Sequence, residues 1–299
     1  MTTETNFCLR VDVDTFEGLK LGIPKVVDFA LKLECSVTIY LSLGKYATGR
    51  NLFRIIKNKE ITEKRIPLWK RNHPKSIVRG LLLPPRGIKE NEIRKLQEYN
   101  TEKLIEFHPH GYNHVKWSKS FSGLSYEKTK ENVESLIEEY TKIFSRRPIA
   151  NAAPNFQINK HYFHLLKEEN FSFSSDLYHP IPINLQFKGR GNQKKSFQIP
   201  QLPVTETSIE EFILQGKTLN QIKKEYRKRF EECVDLGKKY ICLYVHSIYE
   251  PIKLNNLLKE IVNLAIKLDM QTLTHSEFIQ TQTDFPVIEY DQLFGDVKK

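Results

Sequence analysis

The sequence predicts an α/β protein, a distorted (β/α) barrel of about seven strands, and three observations lead there. Short β-rich apolar runs alternate with amphipathic helical stretches along most of the chain, which gives a parallel sheet with helical crossovers. Seven or eight strand candidates within 299 residues favour a barrel-like arrangement. The residues able to do chemistry fall at the ends of those runs, where the active sites of such folds gather.

Taken in order, Phe7–Val13 is the first strand candidate, and Gly22 and Pro24 lead from it into a helix over Lys25–Leu33. Val26, Val27, Phe29, Ala30 and Leu33 recur there at helical spacing. Ser36–Ser42 reads as a buried strand. The remaining strand candidates are Lys103–Phe107, Ile149–Ala153, Phe171–Ser174, Phe197–Ile199, Tyr240–Val245 and Thr272–Leu273. Helical stretches fall between most of them, at Tyr126–Phe144, Asn159–Glu169, Ser208–Gln215, Leu219–Leu236, Leu254–Leu268 and Ser276–Gln280. The whole chain, 1–299, reads as one domain without internal repeats or low-complexity tracts.

Composition narrows the class. At 39% hydrophobic and 27% charged residues the chain is neither disordered nor a membrane bundle. No run approaches the roughly 18 apolar residues that a spanning helix needs. Met1 to Asn6 is polar and shows no secretory signal, so the expected compartment is the cytosol. Cys8, Cys35, Cys233 and Cys242 form no CxxC pair and read as reduced thiols.

The net charge of +10 is not spread evenly. Between Lys45 and Lys89 stand thirteen basic residues against Glu60 and Glu63, a local charge of +11 that leaves −1 for the rest. Four prolines and interleaved apolar residues, Trp69 and Leu81–Leu83 among them, mark this segment as an insertion between the second and third strands. A basic run is commonly just a solvated face. It also suits an anionic membrane surface, where each cation near the leaflet contributes about 1 kcal/mol, or a phosphate-bearing substrate.

Asp12 and Asp14 stand i, i+2 at the end of the first strand and share a face, so the two carboxylates repel unless a cation lies near them. Three histidines, His108, His110 and His114, fall within seven positions just after a strand. His110 and His114 are spaced i, i+4, which in a helical turn puts both imidazoles on one face as metal ligands. His108, two residues earlier, is a candidate supporting group. His246 ends the run Ile-Cys-Leu-Tyr-Val-His. A barrel brings these strand ends together, and one Asp with two His makes an open site for Zn²⁺, Co²⁺ or Mn²⁺. The spare carboxylate and histidine then serve as general base and general acid.

On these residues the sequence resembles the polysaccharide deacetylase (NodB-homology, carbohydrate esterase family 4) superfamily. The resemblance implies a NodB-type barrel, Asp12 as base, Asp14, His110 and His114 as metal ligands and His246 as the catalytic histidine. The spaced Asp-Val-Asp replaces an adjacent pair. With Arg10–Gly18, Gly22-Ile-Pro24, Gly49–Arg54, Asn151–Ala153, Ser175-Asp176 and Gln198–Pro200 it is similar to the ArnD-type deformylases, from about residue 7 to about residue 280. Asn151 stands where the superfamily has an arginine, so no arginine is assigned to orient the base. Asp176 matches an aspartate implied to orient the catalytic histidine.

The resemblance implies a metal-dependent hydrolase that removes a formyl or acetyl group from an amino sugar linked to undecaprenyl phosphate, in lipid A modification. It would work at the inner face of the cytoplasmic membrane, with Arg50, Arg54, Trp69 and Arg79 as contacts for the lipid or its phosphate. Two other readings stay open. One is a deacetylase of a soluble or polymeric N-acetyl sugar. The other is a nucleic-acid-binding protein using the +11 segment, which lacks zinc-finger, RRM and KH signatures and is poor in aromatics for base stacking.

Overall fold

In the computed structural model the described residues are 4–46, 86–188, 196–282 and 284–294. Most of the Lys45–Lys89 insertion, including Arg50, Arg54, Trp69 and Arg79, therefore lies outside the described residues.

Strand alternation decides what each face of the first sheet meets. In β1 (Asn6–Val13), Phe7, Leu9, Val11 and Val13 point into the main hydrophobic core, while Cys8, Arg10 and Asp12 point the other way. The parallel neighbours β2 (Val37–Leu41), β3 (Ile105–Pro109) and β8 (Tyr240–His246) repeat the pattern. Val37, Ile39 and Leu41, Ile105 and Phe107, and Ile241, Leu243 and Val245 face the core. The opposite face carries Thr38 and Tyr40, Glu106 and His108, and Tyr240, Cys242, Tyr244 and His246. The strand order is β3-β2-β1-β8, with the two-residue β9 (Gln271–Thr272) paired to the start of β1.

The core face is covered by amphipathic helices. α1 (Ile23–Leu33) buries Ile23, Val26, Val27, Phe29 and Ala30, begins with Pro24 in its first turn and stops at Glu34 in the left-handed conformation. α2 (Glu90–Tyr99) and α3 (His114–Ser120) precede and follow β3. α4 (Tyr126–Phe144) is capped by the Ser125 side chain and buries Val133, Leu136, Ile137, Tyr140, Ile143 and Phe144. α5 (Lys160–Glu168), α6 (Ile209–Leu214), α7 (Leu219–Asp235), α8 (Glu250–Lys253), α9 (Asn255–Lys267), α10 (His275–Thr281) and α11 (Tyr290–Phe294) complete the described helices.

A second sheet faces the polar side of the first. Its order is β10-β6-β7-β5-β4, built from β4 (Ala150–Asn151), β5 (Phe173–Ser174), β6 (Ile183–Lys188), β7 (Ser196–Gln201) and β10 (Val287–Glu289). All its pairings are parallel except β6 with β7. Backbone hydrogen bonds tie the sheets together at two places. Ala152 N donates to the Pro109 oxygen (3.0 Å), and Thr205 N and Glu206 N donate to the Cys242 oxygen (3.1 and 3.2 Å).

The architecture is mixed α/β and fits a distorted barrel, yet its strands differ from the expected set. Among the described residues ten short strands fall in two five-stranded sheets. The strand expected over Ile149–Ala153 shrinks to Ala150–Asn151, and that over Phe171–Ser174 to two residues. β6, β10, α2, α3, α8 and α11 lie outside the expected elements. Among the described residues no helix is long and apolar enough to cross a membrane.

Candidate active site

The polar face of the first sheet rises to the site in steps. Arg10 lies opposite Tyr244 in the β1/β8 register, and Asp12 lies opposite His246 one step higher. Asp14 follows just past the strand end. From β3 the same face presents Glu106, His108 and, beyond the strand, His110.

His110 and His114 reach the site by a route other than a shared helical turn, which corrects the sequence expectation. His110 sits past the end of β3 and His114 is the first residue of α3, whose cap is the Asn113 side chain. Between them Gly111 takes φ +66°, and Pro154 and Trp117 crowd the place of a side chain there. Asn151 shapes this turn: its Oδ1 accepts from Gly111 N (3.1 Å) and its Nδ2 donates to Tyr162 (2.6 Å).

The donor set suits a divalent cation. His110 Nδ1 lies 2.9 Å from the Ala152 carbonyl oxygen, which only accepts, so the ring proton sits on Nδ1 and Nε2 carries a lone pair. That Nε2 faces Asp14 Oδ1 at 3.4 Å, and His114 Nε2 faces the same oxygen at 3.3 Å. Asp14 Oδ1 is buried with no hydrogen-bond partner among the described residues. The ligand atoms of Asp14, His110 and His114 all lie within 4.8 Å of one another, close enough to meet on one cation. Burial pushes the Asp14 carboxyl up, but the positive charge of His114, His110 and His246 in their protonated forms outweighs it and holds the group well below the usual carboxylate range.

Arg10 is the residue that sequence reasoning missed. It is fully buried, and its fork grips Asp12 through two 2.8 Å bonds, Nε to Oδ1 and Nη2 to Oδ2. Its remaining nitrogen donates to the Ser175 carbonyl oxygen at 2.6 Å. An arginine therefore does orient Asp12, from two residues away on the same strand, while Asn151 works elsewhere. Burial would raise the Asp12 carboxyl, and Arg10, then His110, bring it below its ordinary value.

On the far side, His246 Nε2 lies 3.7 Å from Asp14 Oδ2 and its Nδ1 lies 3.4 Å from Glu210 Oε2. The His246 amide donates to Glu250 Oε2 at 2.8 Å. Glu210 sits in the first turn of α6, whose start is fixed by a capping box between Ser208 and Glu211. The Ser-x-x-Glu signature marks this helix start in the sequence, but nothing local in the chain links Glu210 to His246. Gly22, closing the π-turn Gly18–Gly22, lets the backbone of Ser247 approach so closely that any Cβ there would overlap it.

Two other expected residues lie apart from this group. Asp176 accepts from Ala153 N (2.6 Å) and from Tyr162 Oη (3.4 Å), and the carboxylate facing His246 is Glu210. Burial raises the Asp176 carboxyl to about 6. His108 lies one strand step below His110, where its Nε2 meets Glu106 (3.2 Å) and Ser276 (3.3 Å).

Asp12, Asp14, His110, His114 and His246 open together into a cavity of about 270 Å³. Its other lining residues include Asn155, Phe156, Tyr178, Glu210, Leu214 and Tyr244. One carboxylate and one histidine thus lie beside a metal-type cluster, an arrangement able to take a proton from water and give one to a leaving group.

No family model matches the chain. It is 24% identical over 251 residues to a Wigglesworthia glossinidia brevipalpis protein named "Probable 4-deoxy-4-formamido-L-arabinose-phosphoundecaprenol deformylase ArnD", covering 83% of this chain and 84% of the relative. Among solved structures it is similar to a candidate polysaccharide deacetylase from Mycobacterium smegmatis, at TM-score 0.60 and 16% identity, covering 93% and 90% of the two chains. The allantoinase PuuE is also similar, at TM-score 0.56 and 11% identity, covering 92% and 88%. The chain has the fold of the NodB-homology polysaccharide deacetylases and, over most of its length, a sequence similar to ArnD-type deformylases.

Proposed function

We propose, from this fold and this similarity, that the chain is a metal-dependent N-deacylase. It removes a formyl or acetyl group from an amino sugar linked to undecaprenyl phosphate, at the inner face of the cytoplasmic membrane, in lipid A modification. The observation that carries the reading is the Asp14–His110–His114 cluster with Asp12 and His246 beside it. Asp14, His110 and His114 would hold Zn²⁺, Co²⁺ or Mn²⁺, which supplies Lewis acidity for the amide carbonyl and acidifies water.

The chain's own groups do the rest. Asp12, ionised and fixed in orientation by Arg10, accepts the proton of the attacking water. His246, its Nδ1 turned to Glu210, has Nε2 on the cavity side and donates a proton to the departing nitrogen. Without that proton the amine is too poor a leaving group for the amide bond to break. Arg50, Arg54, Trp69 and Arg79 of the basic insertion fit the phosphate, the lipid or the anionic leaflet by composition.

Mass spectrometry of undecaprenyl-phosphate formamido and acetamido sugars incubated with metal-loaded protein tests the reading. A product lighter by about 28 Da identifies formyl and one lighter by about 42 Da identifies acetyl, a one-methyl discrimination that pocket size sets. No mass change with any of the three metals overturns it. Asp12→Asn and His246→Ala are each expected to lower turnover about 10²–10⁴-fold while the bound metal remains.

A further inference from the structure

The cavity has two unlike sides. One carries Asp12, Asp14, His110 and His114; the other is a wall of three aromatic rings, Phe156, Tyr178 and Tyr244, with His246 beside Tyr244. The wall is built at a conformational cost. Asn155 and Phe156 are consecutive non-glycine residues with φ of 53° and 54°, a left-handed pair that costs roughly 1–3 kcal/mol per residue. Hydrogen bonds from Phe156 N to the Ala153 oxygen (3.0 Å) and from Gln157 N to the Pro154 oxygen (3.1 Å) hold that turn.

The turn sets the Phe156 ring behind Tyr178, with centroids 4.6 Å apart, and edge-on to Tyr244 at 6.0 Å. Tyr244 meets the edge of Tyr178 at 5.8 Å, and the Tyr178 hydroxyl lies 3.4 Å from Glu211. Tyr178 is thus fixed at its back, at its edge and at its tip, yet 44% of it remains exposed. A large ring left open to solvent and immobilised this thoroughly is a preformed contact surface.

We propose that Tyr178, backed by Phe156 and Tyr244, is the platform on which the substrate's pyranose ring lies, an inference that rests on the amide-hydrolase reading above. The face of an aromatic ring is electron-rich and attracts the weakly positive C–H groups of a sugar ring's flat side. Ser208, Glu210 and Asn155 border the same cavity and can meet hydroxyls. An acyl or prenyl chain laid there would desolvate those polar groups without partnering them.

The test compares two soluble formamides, a methyl 4-deoxy-4-formamido-L-arabinopyranoside and the acyclic N-formylethanolamine. Tyr178→Ala is expected to raise KM for the pyranoside about tenfold while kcat stays within about threefold, consistent with the loss of one stacking contact. KM for the acyclic amide stays as in wild type, and Tyr178→Phe restores the pyranoside KM. Equal effects on both amides, or none on either, overturn the platform. In the Asp12→Asn background, calorimetry with the same pyranoside reads binding directly. Binding that is absent, or insensitive to Tyr178→Ala, also overturns the platform. A wild-type protein that binds the pyranoside through Tyr178 and never cleaves it leaves the platform standing and removes the hydrolase reading instead.

Discussion

On the floor of the site the charged groups are buried and answered by short, directional partners; on the wall the groups are partly exposed and braced from behind. Arg10, Asp12 and His110 belong to the floor, where Arg10 grips both Asp12 oxygens and the Ala152 carbonyl fixes the His110 ring. Tyr178, Tyr244 and His246 belong to the wall, supported by the Phe156 turn, the α6 cap and the Ser247 backbone against Gly22. The difference follows from what each side meets. A buried carboxylate is tolerable only when paired, so the floor has a single permitted geometry. The wall must admit a ligand, and its stiffness is therefore placed behind the contact surface.

The largest effect should come from breaking the floor. Arg10→Met leaves Asp12 buried without its cation and is expected to cost about 3–5 kcal/mol of folding stability, read by urea denaturation. A loss below about 1 kcal/mol would mean that the pair contributes little to holding the floor together.

Next comes a pH test of the layer beneath the site. Burial raises the Asp176 carboxyl from 3.8 to about 6, so the fold prefers its neutral form. That preference is fully present below the ordinary carboxyl value and is lost as pH rises through about 6. Asp176→Asn keeps the neutral form throughout. Relative to this variant, wild type should lose about 3 kcal/mol between pH 4 and pH 7. Parallel stability curves would show that Asp176 is accommodated as an anion.

The smallest effect probes the wall. Gly22→Ala pushes against the Ser247 backbone, next to His246, and leaves the metal-type cluster untouched. Turnover should fall about tenfold with metal content unchanged, as misplacing a catalytic group by a fraction of an ångström allows. Equal losses of metal and turnover would show that floor and wall are not separate supports.

The five residues that converge, Asp12, Asp14, His110, His114 and His246, were readable because strand alternation and strand ends are local properties of a chain. Their partners were not. Arg10 has no role that its own stretch of chain reveals, because one of its partners, Ser175, lies 165 residues away. Glu210, at the start of α6, meets His246, at the end of β8, only in the folded chain. β6 does carry a local signal, since Ile183, Leu185 and Phe187 alternate with Asn184, Gln186 and Lys188 as in a half-buried strand, while its pairing with β7 does not show in the chain. β10, three residues long, exists only as an edge against β6. The basic insertion was legible as charge alone.

The central claim is that Asp14, His110 and His114 form one divalent-cation site, with Asp12 and His246 beside it as base and acid. Cobalt(II) titration followed by visible absorption tests this most directly. The account predicts one ion per chain, lost in His110→Ala and His114→Ala and retained in Asp12→Asn and His246→Ala. Wild-type protein that binds no cobalt, or an Asp12→Asn variant that loses it as completely as His110→Ala, would contradict the account.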